Sequence, residues 1–315
     1  MAIIATVRSR LSRLRPVNLR GVLHQMRKEW TAYLFLSPGL LLFCVFWVFT
    51  IAYSFYLSFH QWNILEPAKP FVGLDNYGRL LADARFHQAV VNTIYYTVFS
   101  VPVTMGIGLF IALLLNNRIR ARGIFRTLYY IPVITPLVVS AIIWKWVYQG
   151  DYGLLNYYLM RLGLTVKPLL WLADPNLAMP SVIVMSVWGG AGYHMVIYLA
   201  GLQAIPEEYY DAAKVDGAST IRRLYHITVP LLTPTTFFLF VMSTIGSFQV
   251  FTQIFIMTSG GPLRRTTTIG YALYEKAFRH FDMGYASAMA YALFAMVLAF
   301  TLLQLRYMRG HDIEY

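Results

Sequence analysis

Two sets of residues in this chain have chemistry to offer, and neither is catalytic. The first lies in EEYYDAAKVDGASTIRRLYHITVPLLTP at 207–234, where acidic, small and basic residues interrupt an otherwise apolar sequence. Tyr210, Asp211, Ala212, Ala213, Asp216, Gly217 and Ala218 form its centre. Small residues let a second backbone approach closely, so a short helix bearing them can enter a groove on a partner. A solvated loop accounts for the same residues. The second set is of neutral polar, small and aromatic residues within two apolar runs: Ser243, Ser247, Gln249 and Gln253 in one, and Trp188, Gly190, Tyr193 and His194 in the other. Hydroxyls, an amide and an aromatic ring can hydrogen-bond a polyhydroxylated solute and cover its apolar face. In membrane helices the same groups also bond neighbouring helices.

The sequence has no G-x-x-x-x-G-K-[ST] phosphate loop, so this chain is not itself an ATPase. It also lacks H-E-x-x-H and G-x-S-x-G, which leaves no catalytic residue to name and no enzyme to expect. His194 has no second ligand at metal spacing and reads as packing, so no metal residue is expected. The one cysteine, Cys44, allows no internal disulfide and no cysteine-based metal site.

The elements that position these residues follow from composition. The 315 residues are 58% apolar and 13% charged, against about 25% charged in ordinary soluble domains. Six runs free of Asp, Glu, Lys and Arg are long enough to cross a bilayer core of about 30 Å. They are Trp30 to Leu65, Phe86 to Asn117, Thr127 to Trp144, Pro175 to Pro206, Leu224 to Leu263 and Met283 to Leu305. The short third run extends to Tyr148 if Lys145, between Trp144 and Trp146, lifts its ammonium to the headgroups. A soluble protein with six buried helices fails, because too little polar sequence remains to cover them.

The expected fold is therefore an all-α membrane protein with six transmembrane helices at about 31–59, 88–116, 125–148, 178–202, 231–258 and 284–306. They make up a permease domain over 31–309. Residues 1–30 read as a basic cytoplasmic segment whose Leu19, Val22, Leu23, Met26 and Trp30 recur at the spacing of an interfacial helix. Residues 310–315 read as a short cytoplasmic tail. No small-residue cleavage site follows the first apolar run, which reads as an uncleaved anchor.

The net charge of +12 does not call for nucleic acid. With an inside N-terminus most Lys and Arg fall in inside segments, led by the group from Arg8 to Lys28. That bias sets both termini in the cytoplasm. The 207–234 stretch then joins the fourth and fifth spans on the cytoplasmic side as a helix-turn-helix. Pro206 suits the first helical position, Asp216-Gly217 forms a turn, and Ser219 caps the second helix. Pro102, Gly106 and Gly108 in span two, and Pro132 and Pro136 in span three, read as hinges or kinks. The spans carry no acidic residue, which counts against a proton- or sodium-driven carrier.

Tyr210-Asp-Ala-Ala, then Asp216-Gly-Ala and Pro230, resemble the EAA loop of binding-protein-dependent ABC importer permeases, with Asp211 where glutamate is usual. FVGLDNYGRLL (71–81), NTIYYT (92–97), YYIPVITP (129–136), AGLQAIPEEYYDAA (200–213) and IFIMTSGGP (254–262) resemble the sugar and glycerol-phosphate branch, which includes maltose and lactose permeases. The resemblance implies a multi-pass subunit in a bacterial or archaeal cell membrane that moves a carbohydrate by alternating access. It implies that the 210–218 residues dock on a separate ATPase chain, and that Gly190, Tyr193, Ser243 and Ser247 line the substrate path. Gln249 joins them on polarity and depth. The implied partners are a second permease subunit, two ATP-binding-cassette ATPase subunits, an extracytoplasmic sugar-binding protein and lipid. ATP and magnesium belong to the ATPases, and this chain needs no cofactor of its own. The alternative reading is a self-contained carrier or channel for a small polar solute.

Overall fold

The computed structural model describes Lys28 and residues 30–117 and 120–308; the proposed interfacial helix and the 310–315 tail lie outside them, apart from Lys28 and Trp30. The chain divides into two bodies, 1–56 and 57–315. Among the described residues there is no strand, only isolated bridges at His60–Phe71 and Asn63–Asp282. The first body is formed by α1 (Trp30–Ser58), which contains Pro38 and one π-helical stretch at Cys44–Phe49.

In the second body α2 (Asp75–Ala82) is amphipathic and leads into α3 (Ala84–Asn116), capped by Asp83, whose carboxylate accepts from Arg85 N at 2.8 Å. Helix α4 (Arg122–Ile134) and α5 (Leu137–Val147) meet at a 96° bend. Thr135 is extended there, as a residue before proline is biased to be, and Pro136 opens α5. Then follow α6 (Leu154–Arg161), α7 (Ala178–Ala204), α8 (Glu207–Val215) and α9 (Thr220–Leu231). A 61° bend at Leu232 separates α9 from α10 (Thr233–Phe248). Helix α11 (Thr252–Met257), α12 (269–279) and α13 (Met283–Met308) complete the order.

Helices α1, α3, α7 and α13 are each long and apolar enough to cross a bilayer, and the bent pairs α4/α5 and α9/α10 bring the candidates to between four and six. The span expected at 231–258 is two helices, because Gln249, Val250 and Phe251 leave the helical path. The span expected at 125–148 is bent rather than straight. Helix α3, by contrast, runs unbroken through Pro102, Gly106 and Gly108. Gly108 is a contact and not a hinge: a Cβ there would collide with His194 on α7. Lys145 is exposed, and its Nζ donates to the Ile256 carbonyl at 3.2 Å, at the C-terminal end of α11.

Helix α7 is the central element, packed on α3, α4 and α10. Its Met195, Tyr198, Leu199 and Leu202 join Val101, Met105 and Leu115 of α3 in one core cluster, with Leu232 and Leu239. At its other end Met179, Val182 and Met185 meet Tyr96, Ile254 and Tyr271. The exposed face of α3 is also apolar, with Tyr95, Val98, Phe99, Val103 and Phe110 turned outward. A helix apolar on both faces is solvated by something other than water, and α-helices satisfy every backbone group without it.

Candidate functional site

Alternate sides of the α7–α10 contact build the first candidate site. Gly108 brings α3 against α7 and leaves the His194 ring on the wall of a cavity of about 320 Å³. Ser243, Ser247 and Gln249 come from α10 and its end, and Gly190 and Thr104 from α7 and α3. A second lobe of about 560 Å³ shares Gly190, His194, Ser186 and Gln253 and adds Tyr193. Of the expected substrate path, Gly190, Ser243, Ser247 and Gln249 line the first lobe and Gly190 and Tyr193 the second, with Gln253 on both. No Lys, Arg, Asp or Glu lines either lobe.

The break after Phe248 makes this cavity possible, and its support comes from far along the chain. Thr268 Oγ donates to the Val250 carbonyl at 2.9 Å, satisfying a backbone group that the broken helix leaves open. Thr266, Thr267 and Thr268 are all at most 3% exposed. Asn92 of α3 donates to the Arg264 and Thr267 carbonyls at 2.8 Å each, and Thr93 Oγ accepts from Ile269 N at 3.0 Å. The NTIYYT motif therefore secures the segment that holds the break.

His194 was read as a packing residue, yet both its ring nitrogens are engaged: Nδ1 with the Gly190 carbonyl at 2.9 Å and Nε2 with Ser243 Oγ at 2.7 Å. Sequence spacing carried no sign of this, since the partner is on another helix.

The second candidate site is the 207–228 loop. Pro206 stands one position before α8, not inside it, and Ser219 caps α9 by accepting from Arg222 N at 3.3 Å. Gly217 makes the turn with φ 73°, a backbone state that side chains rarely adopt. Open space surrounds Gly217, so the glycine serves the turn and not packing within this chain. Asp211 pairs with Lys214 at 2.7 Å, both side chains well exposed, and Tyr210 is tied by its hydroxyl to Thr228 at 3.0 Å. Ala212, Asp216 and Gly217 are exposed; Ala213 and Ala218 are half-buried. Val215 and Ile221, 88% and 69% exposed, flank the turn and were not singled out by sequence. Just before the loop, Gln203 Oε1 accepts from Arg122 Nη2 at 2.8 Å and Arg126 Nη2 at 3.0 Å, fastening α4 to the end of α7.

Among the described residues no cluster of His, Cys, Asp and Glu could hold a metal ion. An uncharged polar cavity at a helix break, and an exposed loop of small residues at the other end of the same helices, suit passage and docking. Residues 104–310 match the family model described as the binding-protein-dependent transport system inner membrane component. The chain belongs to this family. It is a permease subunit of an ABC transporter, a multi-pass membrane protein and a transport component rather than an enzyme.

The permease is 37% identical to the probable ABC transporter permease protein YurN of Bacillus subtilis (strain 168), over 88% of this chain and 95% of that one. It is 36% identical to the trehalose/maltose transport system permease protein MalF of Thermococcus litoralis, over 89% and 91%. Its fold matches a chain of the bacterial alginate ABC transporter solved with an alginate pentasaccharide-bound periplasmic protein. That match has a TM-score of 0.79 and 22% identity, covering 91% of the permease and 96% of that chain.

Proposed function

We propose that the permease supplies part of a carbohydrate path through the membrane, using six spans with both termini in the cytoplasm. ATP is hydrolysed on two partner chains. A second permease completes the path, and an extracytoplasmic binding protein delivers the solute. The observation that carries the reading is the gathering of Gly190, Ser243, Ser247 and Gln249 on one uncharged polar cavity, with Tyr193 on a second that shares Gly190 and His194. Relatives named for trehalose and maltose support the carbohydrate class.

In this mechanism closure of the ATPase pair pushes the 207–228 loop. Tyr210, Asp211, Ala212, Ala213, Asp216, Gly217 and Ala218 form the seat, with Val215 and Ile221 as apolar contacts at its edge. The push passes through the Tyr210–Thr228 bond and the bend at Leu232 into α10. Tilting α10 against α7 alters the cavity wall between Ser243 and His194 and exchanges the side to which it opens.

The test is gentle solubilisation from the native membrane followed by mass spectrometry of what co-purifies. A phosphate-loop ATPase and a second permease are expected. Recovery of this chain alone, under conditions that hold other complexes together, would favour a self-contained carrier.

A further inference from the structure

We infer that the cavity takes a neutral polyhydroxylated solute and rejects anionic ones, with His194 as the residue that sets the polarity of Ser243. This rests on the proposed path and deepens it by naming the solute class.

Five of the cavity hydroxyls, those of Thr104, Thr135, Ser186, Ser243 and Ser247, give their protons to groups of this chain. Thr104 donates to the Ser100 carbonyl at 2.6 Å, Ser186 to the Val182 carbonyl at 2.9 Å and Thr135 to the Ile131 carbonyl at 2.9 Å. Ser247 has a single proton, shared between Thr97 Oγ and the Thr244 carbonyl, each at 2.9 Å. A hydroxyl whose proton is committed can only accept from a ligand. Ser243 follows by deduction. The Gly190 carbonyl is an acceptor, so the nitrogen facing it, His194 Nδ1, carries a proton. In the uncharged ring Nε2 is then bare, and it accepts the Ser243 proton at 2.7 Å. No carboxylate stands on either lobe to pair an imidazolium.

The wall is therefore rich in lone pairs. Ser140 adds an independent sign of a ligand: at 2% exposure its hydroxyl has no partner and lines the second lobe. Such a buried group costs stability unless something bonds it. Neutral donors are present at Gln249, Gln253 and Tyr193, enough to bond a sugar's oxygens. A phosphate, sulfonate or carboxylate would give up its hydration to face lone pairs, with no cation on this wall to receive it. A polyol offers a proton from every hydroxyl.

The test compares native cells with and without this chain for depletion of a defined solute panel from the medium. The neutral members are maltose, trehalose, raffinose and sorbitol; the anionic members are sn-glycerol 3-phosphate, glucuronate and trigalacturonate. Chain-dependent depletion of neutral members alone is expected. Chain-dependent uptake of an anionic member overturns this inference while sparing the importer reading. Depletion of no member overturns the carbohydrate reading and the inference with it.

On the solute found, a double-mutant cycle of His194→Leu and Ser243→Ala tests the positioning role. Ser243→Ala is expected to raise KM about tenfold, and the double variant to match it, since His194 acts through Ser243. Additive KM effects would refute that role, and variants that do not assemble are replaced by His194→Gln and Ser243→Thr.

Discussion

The two ends of α7 are built in opposite ways. At the 258–282 end local bonds are joined by long-range ones: Asn92 holds the turn at 264–267, Thr268 holds the helix break, and Arg79 pairs with Asp282 at 2.9 Å, while Arg264 pairs with Glu275 at 3.2 Å within the segment. At the 207–228 end the bonds are mostly local, Asp211 to Lys214 three residues on and Ser219 to Arg222, while Val215 and Ile221 are left bare. One end is a finished lock. The other is a surface whose apolar and small residues gain little within the chain.

The largest effect that could break this contrast is on transport. Ala212→Trp places bulk on an exposed helical face, so coupled uptake should fall by about a hundredfold or more if that face seats closely on a partner, about the loss of 3 kcal/mol. Membrane insertion and thermal midpoint should not change. Uptake within twofold of wild type would make the loop a solvated connector. Ala212 is the better probe than Gly217, where positive φ would mix backbone strain into the result.

Asn92→Ala should do the reverse. It takes the Asn92 donor from the buried Thr267 carbonyl, at about 1–3 kcal/mol, while the Arg264 carbonyl keeps Thr267 N at 3.2 Å, and the purified complex should melt a few degrees lower. An unchanged midpoint would mean that the lock is redundant.

Gln203→Ala removes the acceptor shared by Arg122 and Arg126, with an expected loss of about 1–2 kcal/mol and faster protease cleavage near 120, read by limited proteolysis. Cleavage at the wild-type rate would show that α4 is held by packing alone.

The smallest effect concerns Asp83. Burial pushes its carboxyl up, but hydrogen bonds from Tyr285, Arg85 N and Phe86 N, with the Lys276 charge, outweigh burial and hold it below the ordinary 3.8. A depressed folded value stabilises the protein above the ordinary value, and that contribution is lost as the pH falls through the folded one. Asp83→Asn should flatten the stability profile below about pH 4 and change little at pH 7. A parallel, merely displaced profile would show that the carboxylate does not titrate with folding.

Much of this was legible in one dimension because the bilayer imposes length and polarity on each segment. The long helices α3, α7 and α13, the turn at Gly217 and the Ser219 cap follow from local rules, and the family resemblance followed from short motifs in order. His194 was not legible, because its partner Ser243 lies 49 residues away. Nor was the break after Phe248, since QVF carries no proline or glycine and the Val250 carbonyl that the break opens is held by Thr268, 18 residues on. The partner of Lys145 was not legible for the same reason: the Ile256 carbonyl lies on another helix, 111 residues away.

The sequence by itself determined that this chain is a helical membrane permease with a polar loop between apolar helices, because hydrophobic periodicity, charge placement and turn chemistry are properties of neighbours along the chain. Only the tertiary structure decided which hydroxyls give their protons away, where a helix breaks and what the cavity can accept. Those are set by groups brought together across the bundle, and a hydrogen bond depends on distance in space and not on distance in sequence.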